Sequence, residues 1–254
     1  MKGIFIVGTG RSGTHFTVRL LNGFRNTRDP LGGEENLPIL MDIAKAAIHH
    51  RQPSASTRDY YARLLAEADG VVLDQHHPNL FFAEHWARQF DGLVFLYPQR
   101  PAYQVVASML RHTGVLKWYR YAQEWRQRSI NRIPYPNRFL GLDRYSDIRR
   151  LPPHLLCAHR VIAHRHAFDD AKGRMGHALR SVDYEALVMD PLAEFTRVFD
   201  PSELAALGEF ELLETPRPSS LTKFHDVLSE AQVADIQALE NELLSDTRPD
   251  TVGT

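Results

Sequence analysis

The sequence predicts an α/β chain in which a parallel β-sheet is flanked by helices, with helical insertions. Short β-branched and aromatic runs recur at Ile4–Val7, Val71–Leu73 and Leu93–Tyr97, and each leads through a turn into apolar residues at helical spacing. Strands that alternate with helices imply parallel pairing through right-handed crossovers. With 254 residues, 43% of them hydrophobic, the chain can bury a substantial core, and it reads as one domain over residues 1–254.

Each element follows in order. Ile4 to Val7 is a strand, Gly8 to Gly13 a tight loop, and Phe16, Val18, Leu20 and Leu21 mark the first helix. A second unit starts at Val71, turns through Asp74 to Pro78, and enters a helix from Leu80 to Phe90. The third strand, Leu93–Tyr97, is broken by Pro98 and Pro101, after which Val105, Val106, Met109 and Leu110 give a helical face. Lys117 to Asn131 mixes Trp118, Tyr119, Tyr121 and Trp125 with Arg and Gln in an expected helix, and Pro134 and Pro136 open an irregular stretch. A helix from Pro153 to Ala171, a strand from Ala178 to Val182 and a short helix from Asp190 to Phe199 come next. Glu214 to Phe224 reads as a loop, and Ser229 to Gln232 has the capping-box spacing of a last helix.

Composition excludes several classes. Lys+Arg is 30 against 31 for Asp+Glu, with no basic run of five or more, so a nucleic-acid surface is not expected and anion binding has to be local. The single cysteine, Cys157, allows neither an intrachain disulfide nor a Cys-based zinc cluster, which fits a cytoplasmic setting. The apolar run Ile4–Val7 is too short for the core of a signal peptide, and no transmembrane helix is expected. Thirteen histidines include the pairs His49–His50 and His76–His77, yet no HExxH-type spacing occurs and no metal is expected.

The chemistry concentrates in Gly8-Thr9-Gly10-Arg11-Ser12-Gly13-Thr14-His15, between the first strand and the first helix. Backbone N–H groups of such a loop converge with the helix N-terminus on one concavity, which suits phosphate or sulfate. Its glycines permit positive φ and close approach, and Arg11 can add a forked, charge-assisted contact. The bland alternative is a glycine-rich turn that merely links strand to helix. The frame matches a Walker A loop, but Thr14 stands at the lysine position and His15 at the Ser/Thr that meets magnesium. A donor with phosphate-like charge and no metal bridge suits it better.

Val7 to Thr14 resembles the 5′-phosphosulfate loop of PAPS-dependent sulfotransferases, a run of apolar residues followed by Gly-x-x-Arg-Ser-Gly-Thr. Arg100-Pro101-Ala102-Tyr103-Gln104-Val105-Val106-Ala107-Ser108 is similar to that family's 3′-phosphate site, an arginine at a strand end with a serine eight residues on. A third stretch, Val182 to Pro191, resembles a later strand and helix of the family without chemistry of its own. The resemblance implies a P-loop nucleotide-kinase-like sulfotransferase fold that uses PAPS as co-substrate and needs no metal. It assigns Gly10, Arg11, Ser12, Gly13, Thr14, His15, Arg100, Ser108 and Lys223 to the nucleotide, Lys223 through a late loop that lacks the cytosolic branch's RxxGxxGxWK pattern.

Catalytic roles implied by the same resemblance fall on Arg11, Glu35 and His76. His76, in Asp74-Gln75-His76-His77-Pro78, occupies the place of a leaving-group lysine, or else serves as the base of the cytosolic small-molecule branch. Gly33-Glu34-Glu35 is similar to the Gly-Glu-Glu segment of the tyrosylprotein branch, with Glu35 as base and Glu34 as the alternative. Surface readings, a polar-turn histidine and solubilising loop glutamates, compete with both. The expected reaction is in-line sulfuryl transfer to a hydroxyl or amine of a small molecule, glycan, lipid or peptide, and helical insertions around Trp118 to Arg132 could line the acceptor pocket. The rivals are a P-loop kinase or nucleotide hydrolase, and a non-catalytic module that recognises phosphate or sulfate. Oligomeric state is not legible.

Overall fold

The computed structural model describes residues 1–116, 119 and 133–245. The expected helix from Lys117 to Asn131 and the suggested pocket lining from Trp118 to Arg132 thus lie, except for Tyr119, outside the described residues. In chain order come β1 (Gly3–Ile6), α1 (Thr14–Leu21), β2 (Thr27–Arg28), α2 (Leu37–Ile48), α3 (Ala55–Glu67), β3 (Val71–Asp74), α4 (Ala83–Gln89), β4 (Leu93–Gln99) and α5 (Ala102–Leu110). They are followed by α6 (Tyr145–Arg150), α7 (Pro153–Met175), β5 (Leu179–Asp183), α8 (Tyr184–Met189), α9 (Pro191–Val198), α10 (Pro201–Leu207) and α11 (Glu230–Ser245).

The strands form one five-stranded sheet in the order β2, β3, β1, β4, β5, and every neighbouring pair is parallel. This is the expected α/β architecture. Phe5 is level with Asp74 on one side and Phe95 on the other. Both faces of β1 are covered, as parallel sheets require. Ile4 and Ile6 pack on one face with Val18, Leu21, Phe24 and Phe195, whereas Phe5 meets the Tyr61 ring at 5.0 Å and the Phe95 ring at 5.6 Å. Each such fully buried side chain contributes about 1.5–3 kcal/mol of transfer free energy.

Strand order reverses at β1, because the chain leaves it toward β2 and β3 on one side and reaches β4 and β5 on the other. In open α/β sheets the crevice beyond the C-terminal strand ends at such a switch point is where ligands bind.

Contacts divide the chain into two compact units. Met1–Arg100 with Ala167–Thr222 holds the entire sheet. Pro101–His166 with Lys223–Thr254 holds α5, where Tyr103 meets the Phe224 ring at 4.6 Å. In that second unit Tyr119 donates from its hydroxyl to Leu156 O at 2.9 Å, and Arg160 stacks over Phe139 at 4.6 Å.

Several elements differ from expectation. The helix expected from Leu80 to Phe90 is a 3₁₀ turn, His77–Phe82, followed by the short α4. Its tight start places buried Asn79 to accept from Trp86 Nε1 at 2.8 Å. The expected loop from Glu214 to Phe224 carries a 3₁₀ turn at Pro218–Leu221 and the start of another at Lys223–Asp226. β2, α2 and α3 were not foreseen. Asn36 and Ser54 cap α2 and α3 through Ile39 N and Thr57 N, both at 3.4 Å. Asp42 ties the two helices together by accepting from Ser54 N at 2.7 Å, Thr57 Oγ1 at 2.8 Å and Arg51 Nη2 at 3.1 Å. Burial opposes its charge, yet these donors hold its pKa at about 2. The capping box on the last helix forms as expected, with Gln232 N donating to Ser229 Oγ at 3.3 Å and Ser229 N to Gln232 Oε1 at 3.0 Å.

Candidate active site

The glycine-rich loop leaves β1 at the switch point. Val7 N donates to Leu96 O at 2.8 Å and Gly8 N to His77 O at 3.0 Å, so the loop is moored to the strand on one side and the β3 turn on the other. Gly8 and Gly13 have φ of 145° and 108°, and Arg11, a non-glycine residue, has 79°. That left-handed backbone is strained for arginine. A Cβ on Gly10 would lie 3.1 Å from His77 Nε2, and one on Gly13 would lie 2.5 Å from the Tyr184 ring. Gly13, with its positive φ, needs glycine for this close approach, whereas a Cβ on Gly10 would require only that the His77 ring give way slightly. No side chain caps the start of α1 at Gly13, Thr14 is buried there, and Arg11 is exposed. Thr9 Oγ1 and Ser12 Oγ are buried without a hydrogen-bond partner. Buried hydroxyls rarely go unpaired. Two of them lie beside an uncapped helix N-terminus, an arrangement whose chemistry suits an oxyanion.

The β3 turn lies against this loop. His76 is fully buried, and its Nδ1 stands 2.5 Å from Asp74 Oδ1. His76 N and Asn79 Nδ2 donate to Asp74 Oδ2 at 3.2 and 3.0 Å, and Tyr61 OH donates to Oδ1 at 3.3 Å. His76 Nε2 has no partner. Burial works against its charged form, but the charge and hydrogen bond of Asp74, helped by Glu35 and the Asn36 backbone, hold the imidazole pKa above its ordinary value. A surface position for His76 is therefore excluded. Gln75 joins the same edge, donating from Nε2 to Glu34 O at 2.5 Å.

Glu35 reaches the loop from the segment ahead of α2. Its Oε1 is 3.4 Å from His15 Nε2 and 4.0 Å from His77 Nδ1, while His15 Nδ1 lies 3.4 Å from Gly33 O. Glu34 is exposed and meets the site only through its carbonyl. The two glutamates are thus distinguished: the Glu35 carboxylate faces the glycine-rich loop.

Arg100, just beyond β4, stacks over the Tyr184 ring at 4.3 Å and donates to Ser220 O at 3.3 Å. Burial lowers its pKa, Tyr184 and Glu185 oppose that effect, and Arg11 adds to it. Tyr184 contacts both Gly13 and Arg100, although the sequence placed no chemistry in Val182 to Pro191. Its signal was the position right after a buried strand. Ser108 and Lys223 belong to the second unit, Ser108 on α5 and Lys223 exposed at the start of a 3₁₀ turn. Among the described residues no group of three or more His, Cys, Asp or Glu is placed to hold a metal ion, and no helix is long and apolar enough to cross a membrane.

The course of the backbone recurs in known structures. The chain is similar to a sulfotransferase from Alicyclobacillus acidocaldarius, with a TM-score of 0.56 and 14% identity over 95% of this chain and 92% of that one. It has a sulfotransferase-like fold. Two further structures share this fold. The sulfotransferase domain of the Synechococcus PCC 7002 olefin synthase gives a TM-score of 0.51 and 16% identity, covering 97% of this chain and 95% of its own. The sulfotransferase domain from the curacin biosynthetic pathway gives 0.52 and 14%, covering 98% and 99%. No protein-family model and no curated protein matches the sequence, so the sulfotransferase-like fold rests on the course of the backbone. Function within that fold has to be argued from the site.

Proposed function

We propose that the chain is a PAPS-dependent sulfotransferase, one domain over residues 1–254, that transfers a sulfuryl group to a hydroxyl or amine acceptor. The observation that carries this reading is the pair of buried, unpartnered hydroxyls, Thr9 Oγ1 and Ser12 Oγ, inside a phosphate-type loop that has no Walker lysine. Thr9, Gly10, Arg11, Ser12, Gly13, Thr14 and His15 would hold the 5′-phosphosulfate, and Arg100, braced on Tyr184, the 3′-phosphate. Sequence resemblance adds Ser108 to the 3′-phosphate and Lys223 to the nucleotide.

PAPS supplies an activated sulfuryl group on a phosphate leaving group. Glu35 takes the acceptor's proton as the acceptor oxygen or nitrogen bonds to sulfur. When the bond from sulfur to the phosphate oxygen breaks, the electron pair stays on that oxygen, and Arg11 and His76 stabilise its charge by donating hydrogen bonds. A cationic imidazole at the lysine position suits this leaving-group role, and the direction of its pKa shift supports it. Calorimetry with PAP, the product nucleotide, against ATP with magnesium tests the reading. Micromolar PAP binding without metal is expected; ATP binding that requires magnesium, with none for PAP, would replace the reading by a kinase or hydrolase.

A further inference from the structure

A lysine carries its charge on a flexible stem. An imidazole buried in its place would shed its proton to escape desolvation unless something held it. The network around His76 answers that need. Trp86 Nε1 donates to Asn79 Oδ1 at 2.8 Å, which leaves Asn79 Nδ2 to donate to Tyr61 OH at 2.7 Å and to Asp74 Oδ2 at 3.0 Å. Tyr61 OH in turn donates toward Asp74. Asp74 is thereby fixed in place, with Oδ1 against His76 Nδ1.

We propose that Asp74 is a positioning residue that holds the proton on His76 Nδ1, so that Asp74 and His76 together replace a single lysine and Nε2–H becomes the donor to the leaving oxygen. The inference rests on the leaving-group reading of His76 given above. Among the described residues, the groups whose charge or ring acts on the imidazole are Asp74 from β3, Tyr60 and Tyr61 from α3, and Glu35 with the Asn36 backbone ahead of α2, while His77 comes next in the turn. Asp74 is the carboxylate in direct contact. The leaving oxygen is the partner that Nε2 lacks in the free protein. No proton has to be transferred for this role, because the N–H donates while the oxygen keeps its electron pair.

The test compares wild type, Asp74→Asn, His76→Ala and the double variant. In nucleotide-free protein, imidazole ¹⁵N NMR across pH reads His76 directly, without turnover. Asp74→Asn is expected to lower its titration midpoint by about 1–3 pH units, the usual effect of a nearby opposite charge. With nucleotide, the loss of kcat on raising pH should move down by the same interval, kcat at neutral pH should fall about 10²-fold, and PAP affinity should stay within about twofold. In the His76→Ala background Asp74→Asn should add nothing, as for residues acting as a unit. An unchanged midpoint and pH profile in Asp74→Asn, with His76→Ala still impaired, would overturn the positioning role and leave the functional reading standing. Wild-type turnover in His76→Ala would overturn the leaving-group reading, while the midpoint would still report whether Asp74 holds the imidazole proton. If Asp74→Asn does not fold, Asp74→Ser keeps a hydrogen-bonding group without the charge and is read in the same way.

Discussion

The Tyr184 ring occupies the space that a side chain at Gly13 would need. A Cβ there would come within 2.5 Å of two ring carbons, and Arg100 stacks over the same ring at 4.3 Å. One tyrosine therefore contacts both the glycine-rich loop and the arginine beyond β4. Gly13→Ala should combine this clash with a backbone φ of 108° that L-residues rarely adopt. Such strain costs about 1–3 kcal/mol. Urea unfolding should show a loss of that order, and calorimetry a weakened PAP site. Tyr184→Leu should recover part of the stability of Gly13→Ala but not its PAP affinity.

Arg11 carries both strain and charge. Its φ of 79° would suit glycine. Arg11→Gly should therefore hold or gain stability, by up to about 1–3 kcal/mol if the strain is fully released, while PAP binding weakens by about 1.5–3 kcal/mol, the range for charge-assisted hydrogen bonds. Arg11→Ala should lose the same affinity without the gain. Unchanged PAP binding in both folded variants would remove Arg11 from the site.

Arg100→Ala should abolish the preference for PAP over its analogue without the 3′-phosphate, while affinity for that analogue changes little. Ser108→Ala, argued from sequence resemblance, should reduce the same preference. Competitive calorimetry with the two nucleotides measures both. A retained preference in Arg100→Ala would place 3′-phosphate recognition elsewhere.

Glu35 faces His15 at 3.4 Å, whereas Glu34 offers the site only its carbonyl. Glu35→Gln should lower kcat by about 10²–10⁴-fold, the worth of general-base help, with PAP affinity nearly intact. Glu34→Gln should be close to wild type. The reverse pattern in steady-state kinetics would move the base by one residue.

His76 also predicts a pH dependence of stability. Its folded-state pKa is raised, with Asp74 outweighing burial, so it contributes stability that is fully present below the unfolded imidazole value of about 6.5. That contribution is lost as pH rises through the folded value. The stability difference between wild type and His76→Gln, from urea unfolding at a series of pH values, should shrink across that window. A difference that grows with pH would contradict the assigned direction.

Strands β1, β3 and β4 and the loop after β1 were legible in the sequence, because a parallel sheet buries continuous apolar runs and a tight strand-to-helix turn places glycines where positive φ or close approach is needed. The sequence by itself thus determined the fold class, and it put forward the loop after β1 with Arg11, Glu35, His76 and Arg100 as candidates. β2 escaped because two residues, Thr27 and Arg28, carry no periodicity. Only the tertiary structure decided which candidates meet. It turned Glu35 rather than Glu34 toward the loop, buried His76 against Asp74, and set Tyr184 against both Gly13 and Arg100. The physical reason is that strand order sets which strand ends become neighbours. Pairing β1 with both β3 and β4 brings together turns that lie far apart along the chain, and a side chain's charge and partners follow from those neighbours.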